Sequence, residues 1–183
     1  PLSLQAALPL SGGFLLLGYP LSGTTNPSVN GYTGLVPVTL SSLSLTATAS
    51  TTGTFVANLP SNDAIVVAAN LPSDNGATAL ISGKSSLITY DNLGNKVILD
   101  TYFTKTAANT WEATTYNQAN ATNGGFPYTA AALQTSTLTF SPTTGGLMPA
   151  SPQAINVTVP NGQALSIDIT QMSQLATGYQ VLT

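Results

Sequence analysis

Between residues 86 and 116 hydrophobic and polar positions alternate with a period of two, the spacing of a β-strand. Three runs rich in β-branched and aromatic residues, 87–90, 96–104 and 110–116, are separated by turn formers. In the second run Val97, Leu99, Thr101 and Phe103 fall on one face, and Ile98, Asp100, Tyr102 and Thr104 on the other. Asp91, Asn92, Gly94 and Asn95 fill the first gap and residues 107–109 the second. Asn, Asp and Gly suit such gaps because they tolerate the positive φ of tight turns. The pattern predicts a three-stranded antiparallel meander. This stretch also carries the only Trp, two of the three Lys and three of the six acidic residues.

The rest of the chain is read in order. Residues 1–13 are apolar but irregular, and no element is predicted there. Residues 14–17 suit a short buried strand, closed by Gly18-Tyr19-Pro20. Residues 22–34 read as a linker, broken by Gly23, Asn26-Pro27, Asn30-Gly31 and Gly34. Residues 35–45 alternate in part and contain Pro37, which points to an edge strand. The Ser/Thr/Ala tract of 41–54 suits a solvated strand with a hydroxyl face; it is short and poor in Pro for a glycosylated stalk. Asn58-Leu59-Pro60-Ser61-Asn62-Asp63 is echoed by Asn70-Leu71-Pro72-Ser73-Asp74-Asn75, and each copy reads as a turn. Between them residues 64–69 read as a short apolar strand.

Beyond the meander, 117–128 reads as a long loop, 133–140 as a strand and 141–152 as a turn-rich link. Residues 155–159 and 165–169 form a hairpin about Pro160-Asn161-Gly162. Met172, Leu175 and Ala176 stand at helical spacing, which predicts one or two helical turns over 170–176, stopped by Gly178; residues 179–182 are extended. About ten short strands and almost no helix predict an all-β antiparallel barrel or sandwich with Trp111 in its core.

Composition narrows what such a fold does. Of 183 residues, 43% are hydrophobic, enough for a real core, and only 5% are charged, against about 25% in an average soluble domain. The surface is therefore wetted by Ser, Thr, Asn and Gln. This suits a secreted or cell-surface β protein, or a subunit packed among its own copies. With three Lys, no Arg and a net charge of −3, no basic patch invites nucleic acid or an anionic membrane. No apolar run approaches the ~18 residues that span a bilayer. No signal peptide is visible, and Pro1 in place of Met suggests a fragment or processed product.

The absence of His and Cys excludes disulfides, most nucleophilic triads and most zinc and copper sites. No catalytic, cofactor or metal residues are assigned. Asp91, Asp100 and Glu112 lie within the meander, where a carboxylate pair is formally possible; a polar turn and a solvated sheet face account for them. Asp91-Asn92-Leu93-Gly94-Asn95 lacks the spaced carboxylates of a calcium loop. Asn120-Ala121-Thr122 and Asn156-Val157-Thr158 match the glycosylation triplet, which is frequent by chance. Tyr90, Tyr102, Trp111 and Tyr116 suit core and cross-strand packing, with a sugar-binding platform as the other reading.

One resemblance is specific. Tyr90-Asp91-Asn92-Leu93-Gly94-Asn95, then Asp100-Thr101-Tyr102-Phe103-Thr104-Lys105-Thr106, then Asn109-Thr110-Trp111 resembles the central domain of the bacterial flagellar hook protein family. There an aromatic precedes Asp-Ser-Leu-Gly-Asn, a strand ends Tyr-Phe-x-Lys-Thr, and Asn-x-Trp follows. Thr104 stands where the family usually has Val, and Asn92 where it often has Ser or Ala. Gly18-Tyr19-Pro20, Thr137-Leu138-Thr139-Phe140 with the turn to Leu147, and residues 165–175 are similar to flanking pieces of that family in the same order.

The resemblance implies a self-assembling structural subunit, not an enzyme. The family's polymer is a curved extracellular tube that acts as a universal joint between rod and filament. Residues 1–34 would belong to an inner β domain, 35–172 to an outer β domain, and 173–183 to the chain returning inward. The family's channel-lining terminal helices have no counterpart here, because no long heptad pattern is present. Implied partners are other copies of the hook protein and, indirectly, rod, cap and hook–filament junction proteins. Export without a cleaved signal peptide is implied, and the isolated chain should be monomeric. The alternative is a cell-surface carbohydrate-binding β module.

Overall fold

The computed structural model describes residues 5–6, 16–19, 32, 34–37 and 46–182. The chain forms two compact units, Pro1–Thr46 and Ala47–Thr183. In the first, β1 (Gln5–Ala6), β2 (Leu16–Gly18) and β3 (Val36–Pro37) make a three-stranded antiparallel sheet in the order β1-β2-β3. The apolar run at 14–17 thus supplies β2, and Pro37 sits on an edge strand, where its missing N–H costs no ladder bond. β1 falls in the stretch for which the sequence predicts no element. The linker over 22–34 lies outside the described residues apart from Tyr32 and Gly34.

The second unit is built on the meander. β6 (Gly83–Tyr90), β7 (Lys96–Ala107) and β8 (Thr110–Asn117) pair antiparallel, and β11 (Gln134–Thr139) adds to β8 in the sheet order β11-β8-β7-β6. A second sheet has the order β12-β13-β4: β12 (Ala154–Thr158) and β13 (Ala164–Asp168) form a hairpin, and β4 (Thr52–Thr54) lies parallel to β13. A third, β14-β5-β15, places β5 (Ala57–Pro60) between β14 (Ser173–Leu175, parallel) and β15 (Gln180–Val181, antiparallel). β9 (Ala121–Thr122) and β10 (Gly125–Tyr128) form a small hairpin.

The core lies between these sheets. Leu99 and Phe103 of β7, Trp111 and Ala113 of β8 and Leu138 of β11 meet Ile155 and Val157 of β12, Leu165 and Ile167 of β13 and Leu59 of β5. These are the faces predicted by alternation, and the expected all-β, sandwich-like architecture results. The indole Nε1 of Trp111 donates to Oε1 of Gln174 at 2.9 Å, so the one polar atom of this buried ring is satisfied. In the predicted hairpin, Asn161 adopts φ 57°, and Gly162 N donates to Val159 O at 2.8 Å. Gly83 admits the Tyr179 ring: a Cβ there would come within 2.3 Å of it.

Several local expectations are corrected. Residues 64–69 are not a strand. Val66 N bonds Lys105 O at 2.9 Å, but a 3-10 turn follows over Ala68–Asn70, and Ile65 and Val67 are exposed; the run is apolar in composition but has no ladder partner. Of the two echoed segments, the second forms a 3-10 turn at Pro72–Asp74, while the first is mostly β5 before turning at Ser61. The helical turns expected over 170–176 are replaced by a turn and β14. Met172 and Gln174 both point inward, a period of two, because the Gln174 amide completes the buried indole. The loop at 117–128 contains a 3-10 turn over Gln118–Asn120 and the β9–β10 hairpin. Among the described residues of the hydroxyl tract, Thr52–Thr54 is the strand; residues 38–45 lie outside the described residues.

Replacing Trp111 with Ala removes the largest core side chain and strips Gln174 Oε1 of its indole donor, while Gln174 Nε2 keeps its bond to Asn109 Oδ1. It should cost ~3–5 kcal/mol in urea unfolding, whereas the half-exposed Tyr90→Ala should stay within about 0.5 kcal/mol. Equal effects of the two substitutions would contradict this placement of the core.

Candidate functional site

The polar face of the meander is not solvated, contrary to expectation. Residues 61–82, which connect β5 to β6, and the β9–β10 hairpin cover it, so Asp100, Tyr102, Thr104, Glu112, Thr114 and Tyr116 are all buried. The central strands β7 and β8 are therefore enclosed on both sides. Alternation reveals two faces but says nothing about a loop folding across one of them.

Asp100 is the centre of this face. Its carboxylate accepts from Tyr128 Oη at 2.8 Å, Gln118 Nε2 at 3.1 Å and Ser86 Oγ. Its ion pair with Lys84, 2.9 Å from Nζ, is the only salt bridge among the described residues. Tyr128 Oη and Tyr102 Oη are 2.7 Å apart, and Tyr116 stacks on Tyr128 with ring centroids 4.2 Å apart. Burial pushes the Asp100 carboxyl up, but the bonds from Ser86, Lys84 and Tyr128 outweigh it and hold the group below its ordinary 3.8. Burial lowers the Lys84 ammonium, but bonding to Asp100 leaves it above 10.5. Burial, with Glu112 nearby, pushes the Tyr116 phenol up to about 12.

Glu112 holds the covering connector. It accepts from Ser73 N at 3.0 Å, Ser73 Oγ at 2.7 Å and Thr114 Oγ1 at 2.8 Å. Tyr116 Oη donates to Pro72 O at 2.7 Å. The Asn75 amide donates to Tyr128 O at 2.8 Å and accepts from Tyr128 N at 2.7 Å, which seats the hairpin against the connector. Lys105 Nζ donates to the carbonyls of Ser61 and Asp63. Sequence reasoning missed Ser73, Asn75 and Tyr128; polar residues facing a buried sheet would have been the only signal.

The other candidates separate. Asp91 closes its own turn: Oδ1 accepts from Leu93 N and Asn95 N at 2.8 Å each, and Oδ2 from Asn95 Nδ2 at 3.0 Å. The Asn95 side-chain bond is the largest influence holding its carboxyl low. Glu112 is paired with Thr104 across the strands, four residues from Asp100, or about 13 Å along a strand. That exceeds the roughly 5–9.5 Å of a glycosidase carboxylate pair. Tyr102 and Tyr116 lie on the polar face, Trp111 on the core face, and Tyr90 is exposed at the end of β6, so the four make no common platform. Among the described residues no group of three or more His, Cys, Asp or Glu could hold a metal, and no helix is long and apolar enough to cross a membrane. Asn156 is exposed on β12, and Asn120 sits in a 3-10 turn.

These residues build an all-β module whose buried polar groups brace its own loops. Residues 58–183 match the family of the flagellar basal body protein FlaE D2 domain, and the chain belongs to that family. It is 34% identical over 173 residues to the flagellar hook protein FlgE of Brucella abortus, covering 93% of this chain and 38% of that protein. It is 33% identical over 171 residues to FlgE of Rhizobium meliloti, covering 90% and 38%. It is 29% identical over 108 residues to FlgE of Salmonella typhimurium, covering 59% and 26%. The chain thus spans 38% of the length of the first of these relatives.

Asp100→Asn tests the network. The folded carboxyl titrates below 3.8, so its stabilisation is full above that pH and is lost as acid protonates it. Lys84, displaced upward from 10.5, loses its share only in strong base. Urea midpoints should fall between about pH 5 and pH 2, and Asp100→Asn should flatten that fall while costing about 1.5–3 kcal/mol at neutral pH. An unchanged acid slope would mean that other carboxylates carry it.

Proposed function

We propose that this chain is part of the structural subunit of a bacterial flagellar hook, a curved tubular polymer that transmits torque from rod to filament. The family match over residues 58–183 carries this reading, and the hook protein names of the relatives support it. On it, residues 35–172 form an outer domain, 1–34 belong to an inner one, and 173–183 return toward it. The chain is not an enzyme. Its partners are other copies of the hook protein and, through the polymer, rod, cap and junction proteins. It works outside the cell, exported without a cleaved signal peptide.

The surface chemistry supports this. With 5% charged residues, contacts between copies are formed by hydroxyl and amide groups, which exchange neighbours without breaking desolvated ion pairs. The burial of Tyr102, Trp111 and Tyr116 argues against a sugar-binding module.

Immunogold electron microscopy with antibody against this chain should label a short curved segment between cell body and filament. Label spread over the envelope would refute the reading. Glycans should leave Trp111 fluorescence unchanged; saturable quenching would favour the carbohydrate-binding alternative.

A further inference from the structure

The chain contains four Asn-Gly steps, at residues 30–31, 75–76, 123–124 and 161–162. Such a step can react with itself. The glycine nitrogen lies close to the Asn side-chain carbonyl, and with no Cβ in the way an intramolecular attack needs no enzyme. The fold decides which step is free to do so. The first lies outside the described residues. In the second, the Asn75 amide is held at both ends by Tyr128, donating to its O at 2.8 Å and accepting from its N at 2.7 Å. In the fourth, Gly162 N, the atom that would attack, already donates to Val159 O at 2.8 Å, and Asn161 O accepts from Asn92 N at 3.2 Å.

The third step, Asn123-Gly124, is held by neither device. It is the tip of the β9–β10 hairpin, between the paired Thr122 and Gly125. Its φ angles are 52° at Asn123 and 82° at Gly124, both positive as a two-residue hairpin turn requires. Both residues are exposed. Among the described residues, neither the Asn123 amide nor Gly124 N has a hydrogen-bond partner. A Cβ on Gly124 or Gly125 would meet nothing within 4 Å, so the tip stands clear of the rest of the fold. The hairpin is anchored at its base instead, by Thr129 N to Asn120 O at 2.7 Å and by the bonds between Asn75 and Tyr128. Its short ladder lets the tip open locally while the base stays in place.

We propose that Asn123 is a site of self-modification, converted to aspartate and isoaspartate through attack by Gly124 N. The nitrogen loses its proton to base and bonds to Asn123 Cγ. The Cγ–Nδ2 bond breaks, and Nδ2 takes up a proton and leaves as ammonia. One water then opens the five-membered imide. Opening at the Cγ–N bond gives aspartate, and opening at the bond from the Asn123 backbone carbonyl carbon gives isoaspartate. Nothing is oxidised or reduced. Either product places a new carboxylate on the hairpin, and isoaspartate also adds one backbone atom between Thr122 and Gly125, whose pairing sets the length of the turn. The change falls on the element that carries Tyr128 to Asp100. It holds whether or not the chain is a hook subunit, because it depends on turn geometry alone.

The full protein as the cell makes it is incubated folded at mildly alkaline pH, and a second sample is incubated in guanidinium chloride. Aliquots taken over time are digested briefly with pepsin in acid, where the step is slow. The peptides are sequenced by electron-transfer dissociation, which separates isoaspartate from aspartate. In the folded protein Asn123 should convert several-fold faster than Asn75 and Asn161, with both products formed and a rate that rises with pH. In denaturant the lead should vanish, because all three residues precede Gly. Conversion of Asn75 or Asn161 as fast as Asn123 in the folded protein would overturn the proposal, as would an intact Asn123 while the denatured sample reacts. The same lead in denaturant would mean that neighbouring side chains and not the fold select the site, and aspartate alone would mean direct attack by water; either result would overturn it too.

Discussion

The β7–β8 pair is enclosed on both faces, and that enclosure organises the second unit. An antiparallel pair usually keeps one face in water. Here the core face takes Leu99, Phe103, Trp111 and Ala113, while the polar face takes a connector and a hairpin. Burying that face desolvates a carboxylate, several hydroxyls and three tyrosines, which is tolerable only because each finds a partner. Asp100 does so through Lys84, Ser86, Gln118 and Tyr128, and Glu112 through Ser73 and Thr114. The bonds that satisfy the sheet are the same bonds that position the covering segments.

Much of this was legible in the sequence for identifiable reasons. The meander and the 155–169 hairpin were readable because alternating runs end at Asn and Gly positions that demand turns; Asn109 and Asn161 do adopt φ 57°. The placement of Trp111 followed from its position on the apolar face. The family pattern, from Tyr90 to Trp111, lies on the meander itself.

What stayed hidden depended on partners distant in the chain. Residues 64–69 are apolar, but nothing local says that no strand waits for them. Met172 and Leu175 have helical spacing, yet Gln174 between them turns inward because Trp111 needs an acceptor 63 positions away. The enclosure of Asp100 depends on Tyr128, 28 positions on, which a reading of local pattern assigned to a loop.

The way the chain enters and leaves the second unit has a mechanical meaning. β5 and β15 run antiparallel, and Leu182 N donates to Val56 O at 2.9 Å. β5, near the start of the second unit, and β15, near its end, therefore stand side by side, while β4 just before β5 is held by β13 in the other sheet. A pull applied across β5 and β15 would unzip their short ladder one bond at a time before it reached the long strands of the meander. The excursion from β5 to β15 thus begins and ends at one fixed, narrow spacing. Its outer face can change in size or chemistry while that spacing stays the same.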